Sequence, residues 1–206
     1  KTKNIGTDSD RALLLDFQAT LETKPEKAIK LEKDALAQIE TITADNARLV
    51  SNLHANLGGL YRMNGHPDLA REHMEKSISL LDQFNLLHIN DSIPQIANYA
   101  MFLTEQQEPE RGISELQKLS GIIKEYHSDD CLDYAKVQET LGTIYLMTAN
   151  LPQAKTHFKR AFKIYEKIWA DEPEMIEAKY QEIQELYPQV GFFLGQQLSD
   201  FLTKQT

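Results

Sequence analysis

The chain of 206 residues is 41% hydrophobic and 26% charged, a balance that allows a buried core and excludes a wholly disordered segment. Its formal net charge of −9 at pH 7 opposes phosphate neutralisation, so we expect no nucleic-acid partner. Cys131 is the single cysteine; no disulfide can form within the chain, and a cytoplasmic location is expected. No apolar run approaches the length of a membrane span, so no membrane association is expected.

A period of 42 residues organises the predicted elements. Pro25, Pro67 and Pro109 are evenly spaced by it, and a small residue follows three positions after each, in a series that continues to Ala154. Proline favours the first turn of a helix, because its missing N–H is not needed there. Each of the three prolines therefore predicts the start of the second helix of a hairpin.

Five helical hairpins are predicted in chain order. In the second, Leu53, Leu57, Leu60 and Tyr61 recur at helical spacing before a break at Asn64–Gly65. Small residues at Gly58, Ala100 and Gly142 are expected to let paired helices approach closely. No sustained period of two predicts a strand. The predicted helix pairs are 8–23 with 25–42, 46–64 with 67–84, 92–106 with 109–126, 131–149 with 152–169, and 174–187 with 189–204.

These residues resemble the tetratricopeptide repeat family, whose pattern has a large apolar residue, a small one, a tyrosine, then an alanine, an aromatic and another alanine. The unit from Ala135 carries Leu141, Gly142, Tyr145, Ala154, Phe158 and Ala161 in those roles. The unit from Ser51 has Leu57, Gly58, Tyr61 and Ala70, with Met74 and Ser77 in the last two roles. The unit from Ser9 departs further, because Asp16 and Ala19 replace the small residue and the tyrosine.

The 42-residue period is longer than the usual ~34 and is similar to that of kinesin-light-chain-like repeats, which are also common in bacterial proteins. The resemblance implies an all-α fold, a right-handed superhelix of about five hairpins. It further implies a single solenoid domain over 1–206, with repeats at 9–50, 51–92, 93–134 and 135–176 and an incomplete or capping unit at 177–206.

Catalytic and metal-binding patterns are not found. The six histidines include no pair four residues apart and no H-E-x-x-H motif, so packing or solvated histidines are the better interpretation. Cys131 is interpreted as a small, partly buried residue. We therefore predict no enzymatic activity, no catalytic residue, no metal site and no cofactor.

The resemblance implies a binding groove built from the second, fifth, sixth, ninth, twelfth and thirteenth positions of each unit. Asn56 and Asn98 are 42 residues apart and predict a row of carboxamides for a peptide backbone; the alternative is that they bond to neighbouring helices or water. Met63 and Met101 suit adaptable apolar contact, or equally core filling. The candidate groove residues are Asn52, Asn56, Arg62, Met63, Asn98, Met101, Lys136, Glu139, Thr140 and Thr143.

A non-catalytic scaffold that binds a protein or an extended peptide is the leading hypothesis for function. One alternative is a sensor or regulatory part of a longer signalling or transcription-control protein. Another is a self-assembling structural module, with a homodimer formed through the C-terminal aromatic residues Phe192, Phe193 and Phe201. The expected absence of catalytic spacing is what favours the first hypothesis over an enzyme.

Overall fold

The computed structural model describes residues 7–186, which form nine α-helices and no β-strand. The predicted all-α class is thereby confirmed. The helices are α1 (Asp8–Leu21), α2 (Pro25–Leu36), α3 (Ala47–Met63), α4 (Pro67–Gln83), α5 (Ser92–Glu105), α6 (Pro109–Tyr126), α7 (Leu132–Met147), α8 (Leu151–Ile168) and α9 (Pro173–Leu186).

Most predicted helix ends agree with the structure within two residues, and the exception is the end of α2. The predicted helix extends to residue 42, whereas α2 ends at Leu36. Three β-branched residues between 41 and 43 make this stretch a poor helix former. Asn46 stabilises the loop instead, since its side chain accepts from the Thr43 N–H at 2.8 Å and donates to the Thr41 carbonyl at 2.9 Å.

The 42-residue period is visible in the backbone as well as in the sequence. Gly65, Gln107 and Ala149 all adopt positive φ, at 72°, 64° and 58°. Each follows the first helix of a hairpin, and the next residue donates its N–H five residues back, as His66 does to the Tyr61 carbonyl at 2.9 Å. This left-handed cap ends the helix and reverses the chain toward the next one.

Two glycines lie where the paired helices of their hairpins approach closely, as predicted. A Cβ added at Gly58 would lie 2.6 Å from Met74 Cγ and 3.3 Å from the Ala70 carbonyl oxygen. One added at Gly142 would lie 3.1 Å from the Phe158 ring. The absence of a side chain therefore lets α3 pack on α4, and α7 on α8, at short range.

Two compact units divide the chain, Lys1–Phe102 and Leu103–Thr206. In the first, here called unit 1, a core cluster of Ala12, Ala35 and Leu53 joins α1, α2 and α3. In the second, unit 2, Phe162 of α8 packs on Tyr180 of α9 with ring centroids 4.1 Å apart. A single continuous domain over 1–206 stays a prediction.

The C-terminal predictions fall partly beyond the described residues. The first helix of the last hairpin is α9, but the helix predicted at 189–204 and the aromatic residues Phe192, Phe193 and Phe201 lie outside the described range. Within 7–186, no helix combines the length and apolarity needed to cross a bilayer.

Candidate functional site

A cavity of about 210 Å³ lies within unit 1, between α3, α4 and α5. Three of the predicted groove residues, Arg62, Met63 and Asn98, lie on its wall. Two others, Ala55 and Gly59, occupy the fifth and ninth positions of the same repeat. The lining residues are Ala55, Gly59, Arg62, Met63, Met74, Ser77, Gln95 and Asn98.

The space exists because two residues of its α3 wall, Ala55 and Gly59, are small. A Cβ added at Gly59 would meet no atom within 4 Å, and Ala55 adds only a methyl group. Met63 is 80% exposed at the rim, whereas Met74 is 4% exposed at the base. Methionine side chains are unbranched and adaptable, so the rim and the base can adjust to an apolar group.

The polar base of the cavity is a connected hydrogen-bond network. Gln95 is buried, and its Oε1 accepts from the hydroxyls of Ser51 and Ser77, at 2.8 Å from Ser51 Oγ. Its Nε2 donates to Asn52 Oδ1 at 2.6 Å. Because both ends of the carboxamide are bonded, the network holds the Gln95 side chain in one orientation.

Asn52 forms hydrogen bonds within the protein through both ends of its carboxamide. Besides accepting from Gln95, it donates through Nδ2 to Asp91 Oδ2 at 3.3 Å, and Asp91 also accepts from Arg48 Nε at 2.6 Å. Both ends of this predicted groove amide therefore have partners, Gln95 on α5 and Asp91 just before it, and a ligand-binding role for Asn52 stays a prediction. The same bonds hold the pKa of Asp91 below its ordinary value, the Arg48 hydrogen bond being the main cause.

Asn56 also has an internal role. Its Nδ2 donates to Asp16 Oδ1 at 2.9 Å and to Glu32 Oε1 at 3.1 Å. The alternative interpretation of this amide, bonding to neighbouring helices, is the one that the structure favours. Asn98, the second member of the predicted carboxamide row, is exposed at the cavity rim.

Glu32 is a buried acid at 2% exposure. Burial, and then the negative charge of Asp16, raise its pKa to about 8. Among the described residues, its Oε2 is a buried side-chain oxygen with no hydrogen-bond partner. A proton on the Glu32 carboxyl removes the cost of its buried charge, and the side-chain hydrogen bond with Asp16 favours that protonated form.

Two of the predicted groove residues of unit 2, Glu139 and Thr143, are largely shielded from solvent. Thr143 is buried. Glu139 accepts from Tyr165 Oη at 2.6 Å and pairs with Lys179 Nζ at 2.8 Å. Packing and an internal ion pair use these side chains, and a ligand-binding role for Glu139 and Thr143 stays a prediction.

The three remaining groove residues have local surroundings. Lys136 lies 3.8 Å from Asp133 on the same helix. Thr140 donates its hydroxyl to the Lys136 carbonyl at 3.0 Å, a bond within its own helix. Met101 is partly buried on α5. A ligand-binding role for these residues stays a prediction.

Two histidines of unit 1 form a pair that their sequence spacing does not indicate. His54 and His73 approach with their Nδ1 atoms 2.9 Å apart, and His73 stacks on Tyr61 at 5.4 Å. Burial is the main cause that lowers the pKa of His54 to about 4. Both rings are therefore neutral at pH 7, one donating and one accepting. The described residues contain no group of three or more His, Cys, Asp or Glu suited to a metal ion.

Three cavity residues are missed by sequence reasoning: Met74, Ser77 and Gln95. Met74 and Ser77 belong to a second helix, whereas the groove prediction uses positions of first helices. The sequence signal that could have indicated these residues is the polarity of two core positions. Ser51 and Ser77 occupy positions that hold Ala135 and Ala161 two periods later, and two serines at core positions of one hairpin indicate a buried polar partner.

Comparisons with known proteins agree with this architecture. A sequence profile of the tetratricopeptide repeat matches residues 92–167. The crystal structure of BtubC (BKLC) from P. vanneervenii is similar, with a TM-score of 0.72 at 17% identity, covering 95% of this chain and 80% of that chain. No curated protein matches the sequence.

A protein of Podosopora anserina with nearly identical TPR-like repeats is similar in two crystal structures. A substituted form of it has a TM-score of 0.68 at 14% identity, covering 82% of this chain and 81% of that chain. The other structure has a TM-score of 0.66 at 14% identity, covering 81% of each chain. Identities this low establish a shared fold and leave function to the site itself.

Proposed function

We propose that this chain, whose residues 92–167 match the tetratricopeptide repeat, is a non-catalytic module that binds a segment of a partner protein at the cavity between α3, α4 and α5. Repeat folds generally mediate protein interactions through surfaces that their stacked hairpins expose. The observation that supports this site is a cavity at predicted groove positions, with small residues on its α3 wall and an exposed methionine at its rim.

The size of the cavity favours one side chain over a whole small molecule. Pockets for drug-sized ligands measure about 300–1,000 Å³, and an apolar cavity of about 150 Å³ is enough for benzene. At about 210 Å³, this cavity suits a single large apolar side chain, such as leucine, methionine or phenylalanine. The ligand is then a peptide segment anchored by that residue.

The rim offers polar contacts for the backbone of such a segment. Asn98 is exposed beside the cavity, and its carboxamide can both donate to and accept from a main-chain amide. Gln95 at the base is already bonded on both sides, so it shapes the cavity and contributes less to backbone recognition. Anchoring by an apolar side chain and orientation by a rim amide together define the proposed mode of binding.

Filling the cavity from Gly59 tests the proposal without removing any contact. Peptides selected from a random library on the wild-type protein are labelled, and their affinities are measured by fluorescence polarisation. We expect the selected peptides to share a large apolar residue, and Gly59→Leu to weaken them at least tenfold. Because a Cβ at Gly59 meets open space and leucine is the better helix former, the variant should gain roughly 0.5–1 kcal/mol in stability.

Gly121→Leu is the matched control. Gly121 also lies inside a helix, α6, and a Cβ added there likewise meets nothing within 4 Å. This variant should match Gly59→Leu in stability and keep wild-type affinity. Equal affinity of the Gly59→Leu variant and the wild type, or a library that yields no binding peptide, contradicts the proposed site.

A further inference from the structure

Helix α1 leaves an apolar face uncovered. Four of its large apolar side chains are 50%, 58%, 62% and 68% exposed, in chain order, while its fully buried positions hold only alanines. Contiguous exposed apolar residues on a folded protein mark a contact surface more often than single ones do. The residues of this face, here called the α1 stripe, are Leu13, Leu14, Phe17 and Leu21.

The α1 stripe occupies the same repeat positions as the cavity wall in the same unit. Its residues stand at the fifth, sixth, ninth and thirteenth positions of the repeat that begins at Ser9. Three of the four equivalent residues one period later line the cavity. The equivalent residues are Ala55, Asn56, Gly59 and Met63. A ligand bound at the cavity therefore has a second apolar contact available on the neighbouring hairpin.

The spacing of the stripe matches one face of a helix. From Leu13 to Leu21 it runs about 12 Å at ~1.5 Å per residue, which is the length of roughly two helical turns. Apolar residues at intervals of three and four on a partner helix form a complementary face of the same length. Recognition of an amphipathic helix by an apolar helical surface is an established binding mode.

The charges around the stripe indicate the charge expected of its partner. The first turn of α1 carries the exposed residues Asp8 and Asp10, and the single basic residue of α1, Arg11, pairs with Asp8. The Asp10 carboxylate also accepts from the Thr7 N–H at 2.7 Å, which keeps it ionised. A second copy of the chain would bring the same acidic helix and another net charge of −9, so a basic partner is favoured over self-pairing.

We propose that the α1 stripe is a docking surface for the apolar face of a basic amphipathic helix in the partner protein. This inference rests on the proposed function, because it extends the ligand from the cavity onto the preceding hairpin. The apolar face of the partner helix buries the stripe, and its lysine or arginine residues lie toward Asp8 and Asp10. In this arrangement the cavity binds one side chain of the partner, and the α1 stripe binds a helical segment of it.

Three designed 18-residue peptides test the inference by fluorescence polarisation. The first has leucines at helical spacing and lysines elsewhere; the second keeps that leucine pattern with glutamates; the third keeps the leucine and lysine composition but disperses the leucines around the helix. The first should bind, and the other two should bind at least tenfold more weakly. Phe17→Glu should weaken the first peptide at least tenfold, whereas Phe17→Leu should keep most of the affinity.

Met175→Glu is the matched control for the added charge, since Met175 is an apolar residue of α9 that is 43% exposed. It should bind the first peptide like the wild type. Phe17 is 62% exposed, so Phe17→Glu should keep the native circular dichroism spectrum. Equal binding by Phe17→Glu and the wild type, or by the ordered and dispersed lysine peptides, overturns the inference.

Three further outcomes show which proposal has failed. If sedimentation shows a wild-type dimer that Phe17→Glu converts to a monomer, the stripe is covered by a second copy and the inference is overturned. If library-selected peptides lose affinity for Gly59→Leu but not for Phe17→Glu, the cavity proposal stands and the stripe proposal falls. If both variants bind those peptides normally, both proposals fall.

Discussion

The hairpin α3–α4 in unit 1 and the hairpin α7–α8 in unit 2 share one repeat pattern. They differ at the positions where a ligand is proposed to bind in unit 1. Positions that form the cavity wall in unit 1 are occupied by larger or charged residues two periods later. Lys179 pairs with Glu139 at 2.8 Å and with Glu182 at 3.0 Å. In unit 2 the counterparts of Ala55, Gly59, Gln95 and Asn98 are Glu139, Thr143, Lys179 and Glu182.

The two hairpins also differ beneath those positions. Ser51 and Ser77 are buried and bond to Gln95, whereas their counterparts Ala135 and Ala161 are buried without a polar side chain. The backbone framework is shared, including the glycines at the close approach of each helix pair. The two hairpins therefore differ at four side-chain positions and at the buried residues beneath them. These differences give a cavity in unit 1 and an ion-pair network in unit 2.

The hairpin α1–α2 departs from the shared design in another way. Asp16 stands where Gly58 stands one period later, and Glu32 stands where Met74 stands. The structure shows that a Cβ at Gly58 would touch Met74, so residues at these positions meet each other directly. A pair of acids thus replaces a small residue packed on a large apolar one, and Asn56 donates to both.

The largest expected effect comes from restoring the shared pattern in α1–α2 with Asp16→Ala plus Glu32→Leu, which copies the Ala100–Leu116 pair. The folded-state pKa of Glu32 is raised from 4.5 to about 8, so the unfolded chain binds fewer protons between those values. Wild-type stability should fall as pH rises from 4.5 to 8. The double variant should lose this slope and exceed the wild type by about 3 kcal/mol at a pH of about 9.

Urea denaturation at acidic, neutral and alkaline pH, about 5, 7 and 9, measures that slope. Asp34→Ala is the control, because Asp34 is an exposed acid on α2 whose removal changes the net charge without touching the pair. The control should keep the wild-type pH dependence. A double variant that loses stability with rising pH as steeply as the wild type would show that Glu32 is not protonated in the folded state.

A smaller effect is expected from breaking the network that fills unit 2. Lys179 is 19% exposed and Glu139 17%, so Lys179→Met leaves a partly buried carboxylate without its cation. A fully buried pair loses about 3–5 kcal/mol when one partner is removed, and partial exposure should reduce the loss to about 2 kcal/mol. Fluorescence of Trp169, which stacks on Tyr165 at 4.9 Å, reports unfolding of this region.

Lys167→Met provides the comparison within the same unit. Lys167 pairs with Asp130, but the two side chains are 64% and 54% exposed, and exposed ion pairs contribute about 0–1 kcal/mol. The urea midpoint should therefore move much less than in Lys179→Met. Equal shifts in the two variants would mean that the Glu139–Lys179 pair is no more than a surface contact.

The sequence predicts the framework because proline, glycine and apolar spacing act locally. Pro67 and Gly65 define where α3 ends and α4 begins. The groove positions implied by the family resemblance, applied to this repeat register, include Arg62, Met63 and Asn98, which line the cavity. Side-chain partners between helices are not predictable in the same way. Glu32 resembles any other charged helix residue until the structure brings it against Asp16, although an acid at the small-residue position is a visible sign.

Gln95 and Glu139 also show that contacts between helices are not predictable from the repeat pattern. Gln95 is not among the predicted groove residues, yet it forms the base of the cavity because Ser51 and Ser77 bond to it. Glu139 is a predicted ligand contact, yet Lys179 and Tyr165 use its carboxylate. A repeat position predicts which face a residue occupies, but the neighbouring helix decides whether that face is open.

The smallest expected effect concerns the left-handed caps that the α3–α4 and α7–α8 hairpins share. Gly65 tolerates its φ of 72°, but Ala149 holds φ 58° with a Cβ, which costs about 1–2 kcal/mol for a non-glycine residue. Ala149→Gly should therefore stabilise the protein by roughly 0.5–1 kcal/mol, once the greater chain entropy of glycine in the unfolded state is subtracted. Gly65→Ala should destabilise it by about 1 kcal/mol. Urea midpoints of the two variants should move in opposite directions; shifts of the same sign would show that the caps of α3 and α7 do not share one conformation.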